Sequence, residues 1–487
     1  MTRTTSLASR NPQISLALAI LLLLVACGGK EKVAQPEFPA IELRVMTFNI
    51  EWGGDNVDFA KVVEAIKLSH ADIVGIQEAE GNLQRLAAEL GWHYNLPNYV
   101  ISRFPLIAPS GVDDRYILIE IQPDRVVALA NVHLPSDPSG SERIRDGAGL
   151  DEILELERNV RLPKIVPYLG TLKELADTGI AVFITGDFNA PAHTDWTDAM
   201  VGARPFMPYA VDWPVSQAVH AAGFQDSWRV AHPDPSTHPG LTWWAARPPI
   251  PSYTPGENDA QDRIDFVWFS GPADLRSSEI VGEEGGPEVS IAVSPWPSDH
   301  RGVVSTFAVR PSEMPPLVST RRRINRLGDA VEIVAHGVDR TSIRFSQEGG
   351  KPVAIGGPLD PGRYQVHAVT PEGVALEKDF WVVDPSTAAT VKIEGSEFAV
   401  GQAIPIAWRN APGNRNDYVA AFRTDNDVTY TSVLAWTYIN AMPDGKVVLD
   451  QYTAEWGWPL APGHYIIRLM KDDGYDSLAE SDEFDVR

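Results

Sequence analysis

The sequence predicts an α/β region followed by an all-β region, and three observations carry this. Short runs rich in Val, Ile, Phe and Thr alternate with helical patterns as far as Phe307. A proline-rich break follows at 311–316 (PSEMPP). Beyond it the helical periodicity stops, and strand-like runs recur with turn-forming residues between them.

The elements follow in order. Strand-like runs cover 43–50, 73–77, 126–134, 181–186, 264–269 and 302–309. Apolar residues at helical spacing cover 57–69 and 82–90. The stretch 150–176 is interrupted by Pro163 and Pro167 and reads as two helices. The stretch 196–261 is rich in Pro and Trp and reads as loops around a helix-containing insert at 209–223. After the break, four strands are expected within 330–383 and seven more within 390–486. A chain of 487 residues is too long for one core, since single cores stop growing near ~250–300 residues. The expected organisation is a catalytic domain over 41–310, a small β domain over 317–385 and a β-sandwich over 388–487.

The N-terminus has its own pattern. Residues 1–13 carry Arg3 and Arg10 and no acid, and 14–25 (ISLALAILLLLV) are apolar apart from Ser15. Twelve residues are too few to span a bilayer as a helix, which takes ~20, but they fit the core of a secretory signal. The chain has one cysteine, Cys27, so no intrachain disulfide forms. The run Leu24-Val25-Ala26-Cys27 resembles a bacterial lipobox. That resemblance implies removal of 1–27 up to the cysteine, lipid on Cys27, and a tether over 28–40. The expected location is the exported side, lipid-anchored in the outer membrane and facing the periplasm or the cell surface. Gly28, where an Asp would signal inner-membrane retention, agrees with this.

The formal net charge is −24. Between 41 and 310 there are 20 Lys and Arg against 38 Asp and Glu, a net −18. A field of that sign repels a phosphate backbone and argues against broad nucleic-acid binding.

Five short motifs share one design, an apolar strand running into one or two polar residues at its carboxyl end, and a sixth, QDRIDFVWF, joins them. VMTFNIEW carries Asn49; ADIVGIQEAE carries Gln77 and Glu78; LANVHLPS carries His133. AVFITGDFNA carries Asp187 and Asn189, QDRIDFVWF carries Asp262, Arg263 and Asp265, and PSDHRGVV carries Asp299 and His300. Singly, each reads as a turn, a solvated face or a structural hydrogen-bonder. Their oxygen-rich, cysteine-free composition suits a hard cation such as Mg²⁺ better than zinc.

In this order the six motifs resemble the endonuclease/exonuclease/phosphatase superfamily over 41–310. The resemblance implies a four-layer α/β sandwich, two mixed sheets flanked by helices, and a metal-dependent hydrolase acting on phosphate esters. It implies Mg²⁺, with Mn²⁺ as the alternative, held by Glu78 with Asn49 and Asp299 nearby. It places His300 beside the scissile phosphate with Asp265 behind it, and Asp187 and Asn189 at the attacking water. His133 would donate to a phosphate oxygen or the leaving group. Asp262 competes with Asp265 as the partner of His300; alternation along a strand and the four strand residues after it favour Asp265. His133 stands where relatives that process abasic sites place Tyr, which leans toward the deoxyribonuclease, sphingomyelinase and inositol-phosphatase branches. Residues 388–487 resemble immunoglobulin-like modules appended to some secreted phosphatases, on Pro462-Gly463-His464-Tyr465 and Asp473-Gly474-Tyr475. The expected partner is a phosphate-ester substrate. The alternatives are an exported nuclease and a catalytically silent surface binding protein. The tryptophans of 196–244 read either as an apolar rim for substrate or as packing of the insert.

Overall fold

The computed structural model describes residues 39–487 other than 112–113, 252–255, 257–258 and 455–456. The expected signal segment, Cys27 and nearly all of the tether lie outside the described residues. Residues Ala40–Arg487 form one compact unit.

Two seven-stranded sheets make its first part. The first sheet contains β1 (Ile41–Asn49), β2 (Ile73–Gln77), β3 (His93–Asn95), β4 (Val100–Ser102), β11 (Ala273–Glu283), β12 (Val289–Val293) and β13 (Gly302–Val309). Its order is β12-β11-β13-β1-β2-β4-β3. The second contains β5 (Leu106–Ile107), β6 (Ile117–Gln122), β7 (Arg125–His133), β8 (Val182–Asp187), β9 (Gln225–Asp226), β10 (Asp265–Ser270) and β14 (Ser312–Glu313). Its order is β5-β6-β7-β8-β10-β9, with β14 paired to the start of β7. Leu43, Val45, Val303 and Phe307 of the first sheet meet Leu129, Phe183, Val267 and Phe269 of the second in one buried cluster.

Helices cover the outer faces. In α1 (Phe59–Leu68), Phe59, Val62, Val63 and Ile66 recur at helical spacing and bury one stripe against the first sheet, and Asp58 caps its start by accepting from the Ala60 amide. α2 (Leu83–Leu90) packs beside it and ends on Gly91 at φ 71°, a conformation glycine adopts without strain. A short α3 (Gly140–Arg145) leads into α4 (Leu150–Val160) and α5 (Leu162–Asp177). α5 and α6 (Pro214–Ala221) cover the second sheet, which completes four layers. β2 is buried along its whole length because it lies between a helical layer and the facing sheet.

The expected break in 150–176 falls at Arg161, just before Pro163, whereas Pro167 stays inside α5. Pro is tolerated in a helix's first turn, where its missing N–H has no partner to lose. The PSEMPP break is not a free linker: Ser312 pairs with Val126, and Met314 is buried in the core beneath the second sheet. Trp196 and Trp213 pack edge-to-face inside the insert, and Trp228 is buried too, so these three act as packing.

The rest is almost entirely strand. A five-stranded sheet that includes Gly362–Val369 and Ala375–Val383 packs beside a two-stranded one. After it, a three-stranded sheet containing Ile404–Arg409 faces a six-stranded sheet containing Tyr418–Arg423 and Gly463–Met470. Ile406 and Trp408 from one and Val419, Ile467 and Phe484 from the other share a core, so these two sheets form a sandwich.

Candidate active site

Strand register brings the motifs to one edge of the paired sheets. β1 runs parallel to β2 with Asn49 opposite Gln77, and β7 runs parallel to β8 with His133 opposite Asp187. β10 runs antiparallel to β8, which sets its first residue, Asp265, against Asp187. Asp299 and His300 lie ahead of β13, separated from it by Arg301, so this motif meets the amino end of its strand and not the carboxyl end expected; β13 is the antiparallel neighbour of β1.

Asp187 lies at the centre and is buried. Its Oδ2 accepts from Asn49 Nδ2 at 3.1 Å and lies 3.6 Å from both His133 Nε2 and His300 Nε2. Its Oδ1 accepts from the Asn189 amide at 2.9 Å. Burial pushes the Asp187 carboxyl up to about 6, and His300 opposes that rise. His300 Nδ1 donates to Asp265 Oδ2 at 2.9 Å. Burial works against charge on His300, but the carboxylates of Asp265 and Asp187 outweigh it and raise the imidazole well above its ordinary value. The two carboxylates thus favour the imidazolium form.

A second grouping adjoins the first. Glu78 Oε1 accepts from Asn49 Nδ2 at 2.9 Å and lies 3.9 Å from His133 Nε2. The Asp299 amide donates to Glu51 Oε2 at 3.0 Å. Burial raises the Asp299 carboxyl; His300 opposes the rise and Glu78 adds to it. Glu51 is pushed up to about 7, by burial first and then by Asp299, against the pull of Arg247. Carboxylates that raise one another in this way lack a counter-charge that a divalent cation would supply, and an all-oxygen set fits Mg²⁺ or Mn²⁺. Asp187, Asp265 and His300 also place three ligand-type atoms within 4.8 Å of one another. Within that trio Asp265 and His300 share the Nδ1 proton at 2.9 Å, and Asp187 stands 3.6 Å from the other ring nitrogen.

Two side chains are held by hydrogen bonds. Asn49 presents its amide nitrogen to Glu78 and Asp187, while its Oδ1 accepts from the Glu51 amide at 3.0 Å, so in this arrangement it orients the acids as a donor. Asn189 Nδ2 is committed to the Leu134 carbonyl at 2.9 Å, which leaves Oδ1 as its end toward a water. The choice between the two acids of DRID falls out of geometry for a different reason than alternation. Asp262 precedes β10, where it accepts from Trp196 Nε1 at 3.1 Å and pairs with Arg204 at 3.3 Å, away from His300.

Several supporting residues were not singled out by sequence. Arg247 grips Glu51 with two hydrogen bonds of 2.5 Å across 196 positions, and no spacing rule links them. Ser298 Oγ donates to the Asn49 carbonyl at 2.7 Å and accepts from the His300 amide at 3.0 Å, joining two motifs. Asn131 lies under the site and fastens the sheets together. Its Nδ2 donates to the Ile76 carbonyl at 2.7 Å, and its Oδ1 accepts from Gln77 Nε2 at 2.6 Å and Thr185 Oγ1 at 3.0 Å. An Asn inside an apolar strand was the available signal. Around the pocket Glu51, Trp52, Glu78 and Asn189 all have positive φ, a strain that persists where packing over-determines it and that clusters at functional sites.

The family model described as the Endonuclease/Exonuclease/phosphatase family matches residues 46–300. An uncharacterized protein of Caenorhabditis elegans is 27% identical over 291 residues, 54% of this chain and 91% of that protein. Among solved structures, an AP endonuclease from Archaeoglobus fulgidus is similar at 16% identity and a TM-score of 0.37, covering 55% of this chain and 100% of that one. A mannosyl-6-phosphatase from Bacteroides thetaiotaomicron is similar at 14% identity and a TM-score of 0.32, covering 54% and 99%. With its six motifs gathered at one edge of the two sheets and a family match over just more than half its length, the chain belongs to the endonuclease/exonuclease/phosphatase family.

Proposed function

We propose that the protein is a Mg²⁺-dependent phosphoesterase, exported and anchored by lipid on Cys27. The observation that carries the catalytic reading is the convergence of His133 and His300 on Asp187 Oδ2, each at 3.6 Å, with Glu78 and Asp299 alongside. Glu78 and Asp299 would hold the cation, with Glu51 fixed behind them by Arg247. A bound Mg²⁺ supplies neutralisation of charge developing on the phosphoryl oxygens.

The chain's own residues supply the rest. Asp187 accepts a proton from the attacking water as its oxygen bonds to phosphorus, and Asn189 steadies that water. The ester P–O bond breaks, and the leaving oxygen takes a proton from His133. The His300 imidazolium, fixed by Asp265, balances charge on the phosphoryl group. The test is hydrolysis of a chromogenic diester, sphingomyelin, an inositol polyphosphate and plasmid DNA, with Mg²⁺ and with EDTA. Turnover that needs Mg²⁺ and disappears in His300→Ala is the expected result. Turnover untouched by either treatment would remove this reading. Mass spectrometry of the mature N-terminus tests the anchor, and an unlipidated start elsewhere than Cys27 would overturn it.

A further inference from the structure

We infer that the C-terminal β-sandwich is a working part of the catalytic site: its 471–473 turn braces the loop that follows Glu78, and its Arg415 is a positioning residue that holds the strand carrying His133. This rests on the phosphoesterase reading.

The contact is made by backbone and by buried groups. Asp472 is buried, and its Oδ2 accepts from the Gly81 amide, three residues after Glu78. Gly81 has φ +82°, and an added Cβ would lie 2.2 Å from Lys471 Cε, so the turn sits directly against this loop. Arg415 Nη1 donates to the Asn131 carbonyl at 2.9 Å, two residues before His133 on β7. Its Nη2 reaches the Tyr168 hydroxyl at 3.4 Å on α5, and its guanidinium lies over the Tyr99 ring at 5.7 Å. One arginine thus ties the sandwich to the strand, the helix and the loop behind the catalytic histidine.

The turn is rigidly built. Asp473 accepts from Asn416 Nδ2 at 2.6 Å and from the Tyr438 hydroxyl at 2.7 Å. The Asp472 amide donates to Asp417 Oδ1 at 3.1 Å, and the Asp473 amide to the Asn416 carbonyl at 3.1 Å. Asp472 and Asp473 sit side by side at φ 50° and 59°, a costly conformation for non-glycine residues that these bonds hold in place. Without the Arg415 guanidinium the Asn131 carbonyl loses its anchor, and with it the His133 end of β7, so turnover should fall while substrate still binds.

The test uses the full-length chain in detergent with Mg²⁺ and a chromogenic diester. Arg415→Ala should lower kcat about tenfold with KM held, and Arg415→Lys should recover part of it. Exchange of the Gly81 amide, read without turnover, should quicken about tenfold in Asp472→Ala. An unmoved kcat in Arg415→Ala, in an enzyme whose turnover still needs His300, overturns the positioning role and leaves the phosphoesterase standing. Unchanged Gly81 exchange overturns the docking whatever the turnover. Absence of turnover in wild type overturns the phosphoesterase reading and, with it, the positioning role of Arg415.

Discussion

Asp265 Oδ2 accepts the Nδ1 proton of His300 at 2.9 Å, joining the first residue of β10 to a residue just ahead of β13, in the other sheet. Both side chains are buried, and Thr242 Oγ1 accepts from the Asp265 amide at 3.1 Å, so the pair is fixed before substrate arrives. His300→Ala should lower kcat by about 10²–10³-fold with the fold intact, as expected for loss of a positioned group that balances transition-state charge. Asp265→Asn should cost less, since the imidazole remains but loses its orientation and its counter-charge. Circular dichroism with steady-state kinetics on the same preparations separates a lost group from a lost fold. An Asp265→Asn enzyme with wild-type kcat would remove Asp265 from the pair's function.

The pH profile follows from the same charges. Asp187 must be deprotonated to take the water's proton, and burial, against the pull of His300, places its carboxyl at about 6. Activity should therefore rise with pH through about 6. His300 must keep its proton; although burial disfavours the charge, Asp265 and Asp187 hold it well above 6.5. The part of the alkaline fall that comes from His300 should therefore lie well above the ordinary imidazole range. Asp265→Asn removes one of the two carboxylates that raise His300 and one of the charges that raise Asp187, so both limbs should move to lower pH. A kcat/KM profile measured on both proteins checks this. An alkaline limb that does not move would assign it to another group.

The contrast between what sequence reveals here and what it hides has a physical basis. β2 and β13 were readable to the residue because apolar runs bounded by polar residues report burial directly. The site's polar residues were readable because each follows or precedes such a run. β11 and β12 were not anticipated: they alternate exposed and buried positions in a Glu- and Ser-rich stretch, and their pairing with β13 and each other is long-range. The Glu51–Arg247 pair was hidden for the same reason, since chain separation leaves no local trace of a contact. The donor role of Asn49 depends on which end of an amide faces the Glu51 N–H, which no residue type specifies.

Gly75 should be among the least replaceable residues of the core. It lies on β2 where the two sheets approach, and an added Cβ would fall 2.0 Å from Thr185 Oγ1 and 2.4 Å from Asn131 Oδ1. Gly75→Ala must either part the sheets or displace Asn131 from Gln77 and Thr185. Overpacking together with a broken buried hydrogen bond should cost about 2–4 kcal/mol, read as a lower denaturant midpoint. Activity should fall as well, because Gln77 adjoins Glu78. A midpoint within error of wild type would show that the sheets relax around the methyl group.

Removal of the cation should lower stability rather than leave the fold unaltered. Burial raises the Asp299 carboxyl and Glu78 adds to that rise, so a cation placed between them relieves the repulsion. Mg²⁺ should stabilise the protein by about 2.7 kcal/mol at a hundredfold excess over its Kd. Glu78→Ala should abolish most of that stabilisation, because it removes a carboxylate from the donor set, and should raise the Mg²⁺ concentration needed for half-maximal rate. Asn49→Ala should act differently. It takes away a donor to Glu78 and Asp187 and no ligand atom, so Mg²⁺ should still raise the melting temperature while kcat drops. Thermal melts across a Mg²⁺ titration, run beside kinetics for both variants, make the distinction. If Asn49→Ala loses the Mg²⁺-dependent shift as completely as Glu78→Ala does, Asn49 is a ligand after all, and its amide turns over when the cation binds.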